Sequence, residues 1–222
     1  EYEECLLKAA LLDRDVPHFE LLETLLWEPG GGFFLLDAHL ERLADSARYF
    51  NFACNATDVR QRLVDLCADD PQRAQRVRLR LSPRGEVRVE RTPVAPALDR
   101  PWRVALAAVP VRSNDPFLYH KTTHRRVYET ARASRPDCDD VILWNERGEL
   151  TESTIANLVV ERDGRQLTPP VSCGLLAGVY RRHLVGCGAV GEQVLAVDSL
   201  RKGERVALLN AVRRRIEAVL VD

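Results

Sequence analysis

Of the 32 basic residues in this 222-residue chain only three are lysines: Lys8, Lys121 and Lys202. Lys121 stands in DPFLYHKTTHRRVYE, residues 115–129, directly ahead of a cluster of arginines. The two cations do different work. Arg stays protonated in proteins, whereas a desolvated Lys can release its proton and become a nucleophilic amine. The apolar, aromatic approach PFLY leads Lys121 into a predicted helix, a setting that lowers the pKa of an amine. The plainer alternative is a surface lysine at a helix start.

Three further features could share a site with it. Glu152 in LTESTIAN (150–157) stands between a turn and an apolar strand. Held inward, its carboxylate would pair with a cationic ring nitrogen and keep that ring protonated; held outward, it is a solvated loop residue. LLAGVYRR (175–182) reads as a helix opening, with Gly178 allowing close backbone approach. Unpaired N–H groups and the helix dipole make such an end an anion site, although a single Gly is also an ordinary cap. Arg42 in HLERL lies close to the apolar stripe of another helix, from which it either snorkels to solvent or reaches toward a phosphate. Together these are the parts that pyridoxal phosphate chemistry requires: an amine for the Schiff base, a carboxylate for the pyridine N–H, and a helix end with an Arg for the phosphate.

The elements that must position these residues follow from periodicity. HFELLETLLW (18–27) predicts a buried strand closed by the turn EPGGG, and a second strand precedes a helix capped by Asp37, with Leu40, Leu43, Ala47 and Phe50 at helical spacing. TDVRQRLVDLCAD (57–69) predicts another amphipathic helix. In RVRLRLSPRGEVRVER (76–91) Val77, Leu79 and Leu81 alternate with Arg76, Arg78 and Arg80 around an SPRG turn, the pattern of a hairpin. Downstream the pattern predicts a strand over 102–111, a helix over 121–134, a buried strand over 139–145, a turn and hairpin over 148–169, and a helix over 176–185. A last strand over 204–212 leads into a predicted C-terminal helix. RSNDP (112–116) is the expected linker between a lobe of residues 1–111 and a lobe of residues 117–222. The fold class is α+β, with mixed sheets and helices packed outside.

Bulk composition narrows the functions. A net charge of −1 gives no field for nucleic acid, and no apolar run reaches the ~20 residues of a membrane span. The expectation is a cytoplasmic protein. Six scattered cysteines without CxxC spacing predict free thiols, and the five histidines show no metal-ligand pattern. The chain lacks Met even at position 1 and opens with EYEECLLKAALL, from which we expect a segment of a longer polypeptide.

The order of these motifs resembles the class-IV aminotransferases, the fold-type IV pyridoxal phosphate enzymes. HLERL, the Lys before TTHRRVYE, GELTESTIANL, GLLAGVYRRHL and LLNAV carry the likeness, which covers roughly residues 18–215. Within the family, FELLETLLW, FLLDAHLERLADSARYFNF and HKTTHRRVYE resemble the 4-amino-4-deoxychorismate lyase domain fused behind the chorismate-aminating component of para-aminobenzoate synthase. The resemblance implies two lobes with the cofactor between them, a homodimer, and pyridoxal 5'-phosphate as cofactor. It makes Lys121 the Schiff-base lysine and Glu152 the partner of the pyridine nitrogen. Arg42, the Val179–Tyr180 backbone and the Asn210–Ala211 turn would grip the phosphate. Arg78, Arg80, Arg125, Arg126 and Tyr128 become candidates for substrate carboxylates. The implied reaction yields 4-aminobenzoate and pyruvate, a step toward folate. A transaminase of small or branched-chain amino acids and a non-catalytic partner domain are the competing readings. The Gly-rich segment that stand-alone members carry early on is here DVPHFELLET, which keeps only Glu23 and Thr24.

Overall fold

A computed structural model describes residues 18–69 and 71–221; the opening EYEECLLKAALL, with Cys5 and Lys8, lies outside the described residues. The first sheet has the order β2-β1-β3-β4 and is antiparallel throughout, from β1 (Leu21–Glu28), β2 (Gly32–Phe33), β3 (Gln75–Leu81) and β4 (Val87–Pro93). Period-two alternation gives it two unlike faces. Leu21, Leu25 and Trp27 of β1 pack with Val77, Leu79 and Leu81 of β3 under two helices, α1 (Leu36–Phe50) and α2 (Ala56–Leu66). Leu22 and Thr24, with Arg76 and Arg78 from β3, belong to the opposite face, where Thr24 stands across from Arg78.

The second sheet runs β10-β9-β8-β11-β12-β5-β6-β7. Its strands are β5 (Trp102–Leu106), β6 (Asp140–Trp144), β7 (Leu150–Ser153), β8 (Asn157–Arg162), β9 (Arg165–Thr168), β10 (Gly191–Glu192), β11 (Arg205–Asn210) and β12 (Arg214–Leu220). An added β7–β8 pairing, Glu152 opposite Asn157, closes six of these strands into a ring. Ile142, Leu150, Leu158, Val160, Leu208 and Ile216 fill one face of it. On the other face lie α3 (Arg126–Ala133), packed on Val141 and Leu143, and α4 (Val179–Gly186), packed on Val159, Ala207 and Leu209. Among the described residues no helix is long and apolar enough to cross a membrane. Cys54, Cys67, Cys138, Cys173 and Cys187 are free thiols.

Several expected elements differ. The C-terminal helix is instead strand β12, because Ile216, Ala218 and Leu220 alternate with Arg215 and Glu217 and are buried at that period. Asp37 is not the cap of α1: Leu35, in the left-handed region at φ 54°, precedes the helix and Asp37 sits in its first turn. The strand expected over 102–111 ends at Leu106. The helix expected from Lys121 begins at Arg126, because residues 121–123 pair with the chain leading into β1. Leu22 N–H donates to the Lys121 carbonyl at 2.9 Å, and Thr123 N–H to the Glu20 carbonyl at 2.9 Å. The chain crosses between the sheets more than once. β5 already pairs in the second sheet, ahead of the expected boundary at 112–116, while Phe117 packs back onto Phe19 and Phe50 of the first.

Candidate active site

A cavity of about 440 Å³ is lined from one side by Leu22, Thr24, Arg76 and Arg78 of the first sheet and from the other by Glu152, Asn157, Leu209 and Asn210 of the second. Lys121 lines it too, so the two-residue pairing with β1 is what delivers the amine. Burial pushes the Lys121 amine down to about 8, with the Arg42 and Arg125 charges acting in the same direction and Glu23 and Glu152 opposing them. Roughly a tenth is therefore the neutral nucleophile at neutral pH, far more than for an ordinary lysine.

Glu152 is 4% exposed. Its Oε1 accepts from Tyr128 Oη–H at 2.8 Å and from Leu176 N–H at 3.0 Å, and its Oε2 from Asn157 Nδ2–H at 3.2 Å. Burial raises this carboxyl to about 7 even against those donors and the charges of Lys121 and Arg125. Such a group is suited to sharing a proton with a basic ring nitrogen. Asn157 also donates to the Leu176 carbonyl at 2.8 Å. Gly178 is what lets it do so: a Cβ there would lie 1.9 Å from Asn157 Oδ1.

The other end of the cavity is cationic. Arg42 Nε and Nη2 donate to Glu23 Oε1 and Oε2 at 2.8 and 2.6 Å, and Nη1 donates to the Ala177 carbonyl at 3.3 Å. His39 Nδ1 is 2.7 Å from Glu23 Oε2. Burial alone would raise Glu23, but Arg42 and His39 outweigh it and hold the carboxyl at about 2. The α4 N-terminus opens beside this cluster, and Gly178 and Val179 both line the cavity. Its first N–H groups have no partners within the helix and favour an anion. The Asn210–Ala211 turn also lines the cavity; Asn210 Oδ1 accepts from Val212 and Arg213 N–H groups at 3.1 and 2.8 Å.

The structure thus brings together Arg42, Lys121, Glu152, Val179, Asn210, Ala211, Arg78, Arg125 and Tyr128. It leaves the side chains of three predicted residues outside. Tyr180, expected to contribute its backbone, lies in the first turn of α4 and turns its ring to Phe34, with centroids 5.7 Å apart. Arg80 lies 3.7 Å from Glu20, and Arg126 is exposed on α3. Three cavity residues, with Glu23 beside them, carry roles that sequence reasoning missed. Glu23 was noted only as a motif remnant, although a lone carboxylate between leucines in a buried strand signals a partnered charge. His39 has no such signal, and Asn157 was read only as part of a motif. Arg213 stands in a run of three arginines just past the last expected strand, where no local signal marks it as a cavity residue.

Comparisons with known proteins identify the family. The profile of the amino-transferase class IV family matches residues 20–219. A Schizosaccharomyces pombe protein provisionally named an aminodeoxychorismate lyase is 32% identical over 209 residues, covering 90% of this chain and 89% of its own. Aminodeoxychorismate lyase of Saccharomyces cerevisiae is 24% identical over 245 residues, covering 81% and 65%. A Mesorhizobium loti crystal structure, provisionally named an amino-acid aminotransferase, is 37% identical with a TM-score of 0.85, covering 91% of this chain and 100% of that one.

Proposed function

This chain belongs to the class-IV aminotransferase family and is a pyridoxal-phosphate-dependent enzyme, and from that premise we propose that it is a lyase releasing 4-aminobenzoate and pyruvate from 4-amino-4-deoxychorismate. The cavity fits the cofactor. An amine lowered to about 8, a carboxyl raised to about 7 and a cationic end with an open helix terminus match the aldehyde, the ring nitrogen and the phosphate of one small molecule.

When bound, the cofactor supplies an aldehyde that condenses with amines and a ring that takes up electron density. In this proposal Lys121 would hold the aldehyde, and an incoming substrate amine would compete with it there. Its freed amine, already lowered to about 8, then takes the proton from the substrate carbon bearing nitrogen. Glu152, oriented by Tyr128, Leu176 and Asn157, keeps a proton on the ring nitrogen. Arg42 and the α4 N–H groups would hold the phosphate. Loss of the enolpyruvyl group is driven by aromatisation of the substrate ring.

The observation that carries the lyase reading is the surplus of cations. Arg76, Arg78, Arg125 and Arg213 line the cavity without an ion-pair partner among the described residues. Arg125 Nη2 donates to the Thr154 carbonyl and its guanidinium lies 4.7 Å from the centroid of the Tyr128 ring. One arginine suffices for the carboxylate of a small amino acid; several suit a dicarboxylate. The test is to supply 4-amino-4-deoxychorismate, made by a separate aminating enzyme, and to measure 4-aminobenzoate and pyruvate. Equimolar products that require this chain support the proposal; no acceleration over the reaction without it sinks the lyase. The Mesorhizobium loti neighbour supports a second reading, an aminotransferase, which predicts transfer between a small amino acid and a 2-oxo acid in the same preparation. The proposal extends to a homodimer, checked by sedimentation, and to a role in folate precursor synthesis, checked by growth of a 4-aminobenzoate auxotroph.

A further inference from the structure

His39 is 1% exposed and lines the cavity. Glu23 is an ionised carboxylate and can only accept, so His39 Nδ1 carries the hydrogen between them. The ring's other nitrogen, Nε2, is buried and has no hydrogen-bond partner among the described residues. A buried polar atom left unpaired calls for an explanation. Its place supplies one. His39 lies three residues before Arg42 on α1 and therefore shares its face. Arg42 reaches the Ala177 carbonyl, and the unpaired N–H groups of α4 begin just beyond. An arginine fork, a helix N-terminus and an unsatisfied ring nitrogen border the same cavity.

We propose that His39 Nε2 is a direct contact for the phosphate at this end of the cavity. With the anion bound, the ring carries both protons and donates one to Glu23 and the other to a phosphate oxygen. The charges facing the ring are Glu23 from β1 and Arg42 from its own helix, with Lys121 in the same cavity. Glu23 thereby ties the two phosphate ligands to one carboxylate. The inference rests on the phosphate placement proposed above.

The test compares pyridoxal phosphate with pyridoxal, which binds the same amine but lacks the phosphate. The full chain, stripped of cofactor, is titrated with each and followed by absorbance. Asn at position 39 can still reach Glu23 but has no atom where Nε2 stood, whereas Gln places an amide near it. His39→Asn is expected to weaken pyridoxal phosphate roughly tenfold, the scale of one charge-assisted hydrogen bond, and to leave pyridoxal within about twofold. His39→Gln is expected to recover most of the loss. Equal weakening of both ligands, or of neither, by His39→Asn overturns the contact. Arg42→Gln separates the two levels of the argument. If it discriminates the ligands and His39→Asn does not, only the His39 contact fails; if neither does, the phosphate placement fails. In wild-type protein with 15N-labelled histidine, a protonated Nε2 signal is expected with pyridoxal phosphate and not with pyridoxal. Its absence overturns the proposal even where His39→Asn does not fold.

Discussion

Glu23→Gln tests how the cationic end of the cavity is built. Glu23 is 2% exposed and takes charge-assisted hydrogen bonds from Arg42 and His39. Gln keeps the volume, removes the charge and turns an amide N–H toward groups that are themselves donors. The structure sets the scale: the carboxyl is held at about 2, against an ordinary 4.5. At about 1.4 kcal/mol per pH unit, that gap corresponds to roughly 3 kcal/mol of stability. Breaking a buried ion pair by removing one partner typically costs about 3–5 kcal/mol, so two routes converge. In a chain of this size the loss lowers Tm by roughly 6–12 °C.

The pH dependence has a defined sign. The folded carboxyl is depressed, so its contribution is fully present above the ordinary value and is lost as pH falls from 4.5 toward about 2. Urea unfolding of cofactor-free wild type and Glu23→Gln between pH 7 and pH 3 is the assay. The difference between the two should stay near 3 kcal/mol down to about pH 5 and shrink below it. Subtracting the variant removes the effects of every other carboxylate. A difference that holds constant down to pH 3 would show that Glu23 carries no depressed ionisation. A variant as stable as wild type at pH 7 would show that Arg42 and His39 are not held by it.

Three other outcomes follow from the same geometry. Gly178→Ala sets a methyl against Asn157 Oδ1, whose amide is fixed by Glu152 and the Leu176 carbonyl; we expect a loss of about 1–3 kcal/mol in chemical unfolding and weaker cofactor binding. Tyr128→Phe deletes one donor to Glu152 and should push that carboxyl above about 7, moving the corresponding limb of the pH–rate profile upward with the fold intact by circular dichroism. In cofactor-free protein, acylation of Lys121 should rise through a midpoint near pH 8, above which its amine is neutral, and peptide mapping should separate it from the exposed Lys202.

The legible part of this protein was the part governed by period. Val77, Leu79 and Leu81 against Arg76, Arg78 and Arg80 disclosed a hairpin and its two faces, and the structure uses one face for core and the other for the cavity. The same rule applied to RRIEAVL reveals β12, where a C-terminal helix was expected. Lys121 stood out by type in an arginine-rich chain, yet its local surroundings pointed to a helix. The pairing that orients it joins Lys121 to Leu22, a contact 99 positions apart that no local pattern encodes. Glu152 shows the limit most sharply. Its identity was readable, while its raised pKa arises from burial where β7 meets β8 to close the ring, against the donors that Leu176 and Tyr128 supply from distant segments. Sequence reveals which groups can do chemistry, and ring closure determines which of them share a desolvated space. Arg78 and Arg80 illustrate the difference: two residues apart on the same face, one lines the cavity and the other lies near Glu20. Exchanging each for Ala should therefore impair substrate binding at position 78 and spare it at position 80.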